Sequence, residues 1–364
     1  MTPLRYIAIF TAAALTVVTI AFGAAFSADP AHIFRMPEAY GQIASLLQTG
    51  TPVGGLESPR HRLINRAFIA GLSQTPGTVI LGSSRIQPFS PAAAGWPESL
   101  NLAVEGGDLG DHLYIYGLLR DARRIPARMI IVVDPYIFSP RRDLLSRNGE
   151  QAALRRLVDV LGVNCLNGTD YWGSFAWVPE ILTLDYAIES ILVLQSELRG
   201  RDKPVRFAAD PRLTSTGFIK RPDGSVIFSR EIRERSPTYV DDYAATVLEH
   251  PVGRGLAFTE LDRCKVDVFS ALLSLLKNDG VAVTLAMLPY HPKAYELLQS
   301  NSPVLDEVEV LVADLGRELS LPVLGAYDPA RTFCSSREFL DMHHPKQSCS
   351  QRILESAAPQ DVQD

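Results

Sequence analysis

The chain has 364 residues, 46% of them apolar and 21% charged, with 25 Gly and 25 Pro; this excludes collagen-like and disordered classes and leaves ample length for a core. Lys and Arg number 35 against 41 Asp and Glu, a net charge of -6, so a nucleic-acid partner gets no support. Four cysteines without a CxxC pair fit neither a disulfide scaffold nor a zinc site, and no metal or other cofactor is expected.

Residues Tyr6–Phe26 carry no charge over 21 positions. At 1.5 Å per residue such a helix is roughly 31 Å long, the thickness of a bilayer's hydrocarbon core. Arg5 precedes the run and Asp29 is the first charge after it, so the positive-inside rule puts the N-terminus in the cytoplasm. The expectation is a single-pass signal anchor over residues 1–29 in a bacterial inner membrane, with the rest on the periplasmic or extracellular side. A cleaved signal peptide, cut near Ala25-Phe26-Ser27, is the alternative.

Residues 30–75 read as a helical lead-in with breaks at Gly50-Thr51-Pro52 and Gly54-Gly55. Five short apolar runs follow: Thr78–Gly82, Ser99–Val104, Met129–Asp134, Val281–Leu288 and Leu321–Tyr327. They are continuous rather than alternating, as suits strands of a parallel sheet buried on both faces. Helical patterns at Leu256–Lys277 and Leu305–Leu319 separate some of them, which predicts an α/β domain over residues 76–364. About 145 residues lie between the third and fourth strands, far more than one crossover needs. An insertion at about 141–255 is therefore expected, with a helix at Val178–Leu198 and a hairpin at Thr216–Ser229 turning on Pro222-Asp223-Gly224. Its expected place is over the carboxyl edge of the sheet.

Three groups of residues can carry chemistry. Leu81-Gly82-Ser83-Ser84-Arg85 follows the first strand, where a serine hydroxyl is exposed beside backbone N–H groups; a plain turn or helix cap uses the same residues. Phe339-Leu340-Asp341-Met342-His343-His344-Pro345 places an Asp three residues before a His, a spacing that lets the carboxylate orient the imidazole. Asn101-Leu102-Ala103-Val104-Glu105-Gly106-Gly107 leaves the second strand, and a glycine there lets the backbone approach a reacting carbonyl. In an open parallel sheet all three would converge on one crevice. Arg85 can clamp an anionic substrate or pair with Asp134.

On these residues the chain resembles the SGNH/GDSL hydrolase superfamily, over roughly residues 76–140 and 280–355. That resemblance implies a three-layer flavodoxin-like sandwich on a parallel sheet of about five strands. It makes Ser84 the nucleophile, Asp341 and His344 the rest of a triad, and Gly106 with Asn101 the oxyanion block. Ala103 stands where a middle glycine is usual. The superfamily's G-x-N-D block after the third strand is absent; that strand ends Val133-Asp134-Pro135-Tyr136. The anchor, the Gly-Ser-Ser start and the missing Asn resemble an envelope branch that works with polysaccharide and teichoic-acid acylation machinery. It implies a serine esterase or O-acyltransferase acting on acyl esters of a cell-envelope glycan, with a membrane-bound acyltransferase as a candidate partner. An inactive domain of this type, binding a glycan or an envelope protein, is the alternative. Cys334 and Cys349 flank the Asp341–His344 loop and are expected to pair outside the cytoplasm, closing a loop of about 15 residues that contributes roughly 3 kcal/mol. Nothing in the sequence pairs Cys165 with Cys264.

Overall fold

A computed structural model describes residues 3–28, 38–56, 60–141, 157, 159–163, 165, 184–199 and 207–358. The N-terminal helix Pro3–Ala28 contains a stretch, Arg5–Ala28, of mean hydropathy 2.2 that is long and apolar enough to cross a membrane. The helix Leu184–Leu198 packs against it and exposes Ile188, Ile191 and Leu192. The first part of the helix expected at Val178–Leu198, and most of the first half of the expected insertion, lie outside the described residues.

The centre is a five-stranded parallel sheet. Its strands are β2 (Thr78–Leu81), β3 (Ser99–Asn101), β4 (Arg128–Val132), β8 (Ala282–Met287) and β9 (Val323–Gly325), in the order β3-β2-β4-β8-β9. Each continuous apolar run serves two cores, because successive side chains point to opposite faces. Val79 and Leu81 of β2, with Met129 and Ile131 of β4, enter one cluster beside Leu113, Leu272 and Val308 from helices Leu109–Asp121, Arg263–Asn278 and Val304–Leu319. Ile80, Ile130 and Val132 enter the other, beside Phe89, Trp96 and the final helix's Ile353 and Leu354. Burying each such side chain contributes about 1.5–3 kcal/mol, so both layers of helices are held to the sheet by the same strands.

The order of the strands decides where a site can form. After β2 the chain steps to one side to make β3, then crosses back to make β4 on the other side. A crevice opens at that reversal, beyond the carboxyl ends of β2 and β4.

A second, antiparallel sheet runs β5-β1-β6-β7, with β1 at Val53–Leu56, β5 at Ala208–Ala209, β6 at Phe218–Lys220 and β7 at Val226–Ile227. One of the breaks expected in the helical lead-in is thus a strand. Val-Gly-Gly-Leu has no helical or alternating pattern of its own, and its partners come from residues 208–220. The β6–β7 hairpin occupies the stretch predicted for it. Its turn docks on the main sheet, where the Asn101 N–H donates to the Asp223 carbonyl at 2.7 Å, and β7 docks on the segment after β2, where the Val226 N–H donates to the Gln87 carbonyl at 2.8 Å.

All four cysteines are paired, Cys334 with Cys349 and Cys165 with Cys264. The second pair spans 99 residues, and no local pattern announces a contact of that separation. Two disulfides suit an oxidising compartment.

Candidate active site

Ser84 lies in the turn that leaves β2, at the mouth of the crevice. The backbone reaches it through Gly82, where a Cβ would sit 2.8 Å from Ile86 Cγ2 and 2.9 Å from Val132 Cβ; only glycine lets the strand end run this close to β4. Ser83 is buried, and its Oγ accepts the Arg85 N–H at 3.2 Å, which tightens the turn and leaves Ser84 half-exposed.

His344 comes from the far end of the chain. Its Nε2 is 2.9 Å from Ser84 Oγ and its Nδ1 is 2.7 Å from Asp341 Oδ2. The carboxylate fixes the tautomer: Nδ1 carries the proton and donates, so Nε2 is free to accept from the serine hydroxyl. Asp341 also shapes the loop, since its Oδ1 accepts the backbone N–H groups of His343 and His344 at 2.9 and 3.0 Å. Burial alone would push the Asp341 carboxyl up. The two neighbouring imidazoles and these hydrogen bonds outweigh it and hold the carboxyl well below the usual range, so Asp341 stays ionised.

The loop is closed by the Leu340 N–H to His344 carbonyl bond at 2.9 Å and the Lys346 N–H to Glu338 carbonyl bond at 2.7 Å. Outside it, Glu338 accepts from Ser348 and Arg352, and Cys334–Cys349 ties the loop's start to the final helix. From the hairpin, the ring of Phe228 meets His344 edge-on at 5.0 Å. The segment expected over the sheet edge therefore supplies an apolar wall against the imidazole.

A cleft of about 130 Å3 opens over Ser84, with Gly106, Tyr136, Val252, Tyr290 and His343 among its walls. Gly106 adopts left-handed backbone (φ 57°) with open space where a side chain would stand.

Asn101 and Arg85, the other predicted site residues, have different surroundings. Asn101 is buried; its amide donates to the carbonyls of Ile86 and Phe89, both at 2.8 Å, and its oxygen accepts the Ala103 N–H at 3.1 Å. It holds the Ser84 turn against β3 and does not reach the cleft. Arg85 has its guanidinium on Asp134 Oδ1 at 2.7 Å, on the carbonyls of His343 at 3.1 Å and Pro289 at 2.9 Å, and on the carbonyl of Leu288. It lies 4.0 Å over the Tyr290 ring. Of the two uses open to Arg85 in the sequence, the observed one is the pair with Asp134. His291 is fully buried and bonded to Asp241 at 3.0 Å, away from the cleft.

Phe228, Val252 and Tyr290 carried no motif, because a wall residue needs only bulk and position. Asp341, His343 and His344 are the one group among the described residues with three metal-type donors within 4.8 Å of one another. Two of those donors already bond to each other, and His344 turns its remaining nitrogen to Ser84.

No protein-family model matches the chain, and no curated protein matches it.

Proposed function

We propose that this protein is a membrane-anchored serine esterase or O-acyltransferase of the SGNH type, acting outside the cytoplasm on acyl esters of a cell-envelope glycan. The observation that carries the reading is the continuous relay from Asp341 through His344 to Ser84, at 2.7 and 2.9 Å. Its geometry is that of a nucleophile, a base and an orienting carboxylate. Ser84 Oγ attacks the ester carbonyl while its proton passes to His344 Nε2. The imidazolium, stabilised by ionised Asp341, then returns the proton to the leaving alkoxide. An acyl group remains on Ser84, and water or an acceptor hydroxyl removes it by the reverse sequence. The Ser84 and Gly106 N–H groups are the candidate oxyanion donors, and each such donor typically supplies about 3–4 kcal/mol of transition-state stabilisation.

Strand order β3-β2-β4-β8-β9 is the doubly wound 2-1-3-4-5 order, which supports the flavodoxin-like sandwich that the SGNH resemblance implies. The N-terminal apolar helix and the two disulfides support a site held outside the cytoplasm. Release of p-nitrophenol from p-nitrophenyl acetate tests the reading. The full-length protein in detergent is expected to turn over, and Ser84→Ala and His344→Ala are each expected to fall by three orders of magnitude or more. A wild-type protein that is folded and no faster than Ser84→Ala supports the inactive, glycan- or protein-binding alternative instead.

A further inference from the structure

His343 is not part of the relay, yet it lines the same cleft as Ser84. Its ring lies on that of His344, with centroids 3.9 Å apart. Its Nδ1 is buried, faces Asp341 Oδ1 at 3.4 Å, and has no hydrogen-bond partner at that distance. Its Nε2 is neither buried nor bonded within the described residues. The nearby carboxylate favours the tautomer with the proton on Nδ1, which leaves Nε2 as a bare acceptor turned to the cleft. Burial, with the charges of His344 and Arg85, lowers the His343 imidazole to about 3, so this acceptor stays unprotonated near neutral pH. The His343 ring thus lines the cleft beside Ser84, and next to it lies the His344 ring that is bonded to the nucleophile.

We propose that His343 is an acceptor subsite which selects acyl acceptors carrying two neighbouring hydroxyl groups, so that a vicinal diol, as on a sugar or polyol, is used in preference to a simple alcohol. The proposal rests on the acyl-transfer reading of Ser84. In the second half-reaction the attacking hydroxyl oxygen bonds to the acyl carbon, and its proton passes to His344 Nε2. Collapse breaks the bond from that carbon to Ser84 Oγ, and the proton moves from His344 Nε2 to Oγ. His344 can receive one proton only. A hydroxyl on the adjacent carbon then has its own acceptor in the cleft, His343 Nε2. A simple alcohol makes no bond to that nitrogen, nor does an acceptor whose second hydroxyl is blocked. His343 changes no protonation state in the cycle; it binds and orients.

The test uses the full-length protein in detergent with p-nitrophenyl acetate as acyl donor. Ethane-1,2-diol and ethanol compete as acceptors at equal hydroxyl concentration, and the acetate esters are separated by gas chromatography. The wild type is expected to favour the diol about fivefold to tenfold, the effect of one hydrogen bond. His343→Phe is expected to bring that ratio within twofold of unity, and His343→Gln, which keeps an acceptor oxygen, to restore part of it. A wild-type ratio near unity overturns the proposal, as does an equal preference in wild type and His343→Phe. Intact-mass analysis separates the two levels: a wild type that never carries an acetyl group on Ser84 overturns the acyl-transfer reading itself.

Discussion

Arg85 and Asp134 form a buried ion pair, Nη1 to Oδ1 at 2.7 Å, that joins the residue after the candidate nucleophile to the turn leaving β4. Both side chains are almost wholly out of water, and Tyr290 lies under the guanidinium. The superfamily resemblance puts an oxyanion Asn near this place. Here the position after β4 is occupied by a carboxylate whose partner is Arg85, and the pair braces the floor of the cleft.

Breaking a buried pair strands the remaining charge. Arg85→Met is expected to cost about 3–5 kcal/mol, because Asp134 stays buried without its cation and three carbonyls lose a donor. Urea unfolding of the variant, with the wild type beside it, checks the figure.

The orienting carboxylate has a sharper signature. Asp341→Asn keeps the size of the side chain and offers the amide N–H to His344 Nδ1, which favours the tautomer that cannot accept from Ser84 Oγ. Esterase turnover is expected to fall by about three to four orders of magnitude. A change below tenfold would mean that His344 does not depend on Asp341 for its tautomer.

Phe228 links the inserted hairpin to the site. Its buried ring rests against His344, and Phe228→Ala is expected to cost about 3–5 kcal/mol of stability and to lower turnover by loosening the imidazole. Thermal unfolding and p-nitrophenyl acetate turnover of the variant read the two effects separately.

Acid sensitivity should be traceable to the clip beside the Asp341–His344 loop. Burial raises the Glu338 carboxyl, but hydrogen bonds from Arg352, the Ser335 N–H and Ser348 outweigh it and lower it to about 2, from an ordinary 4.5. A depressed carboxyl stabilises the fold fully above its unfolded value and loses that contribution as pH falls through its folded value. Stability is therefore expected to decline between about pH 4.5 and 2, and Glu338→Gln to flatten that part of the profile. Thermal midpoints measured across this range check it; parallel curves would contradict the assignment.

Much of the sheet was legible because its strands are buried on both faces. Runs such as Met129–Asp134 are continuous in the sequence for the reason that Met129 and Ile131 fill one core while Ile130 and Val132 fill the other. Ser84, Asp341 and His344 stood out through local chemistry, a serine after a strand and an Asp–His spacing, and they meet within hydrogen-bonding distance. What local pattern does not encode is pairing at a distance. β1 owes its form to partners some 160 residues on, and Cys165–Cys264 spans 99 residues. Asn101 shows a subtler limit, because its place in the chain suggests the oxyanion block while its buried amide is spent on three backbone groups. Chain position indicates where a residue sits, and only the neighbours decide which of its atoms remain available.

The central claim is that Ser84 is an activated nucleophile, and fluorophosphonate labelling of the full-length protein, read by peptide mass spectrometry, tests it most directly. The account predicts a single adduct on Ser84 that is lost in His344→Ala. A folded wild-type protein that takes no adduct at Ser84, or takes it equally well without His344, would contradict it.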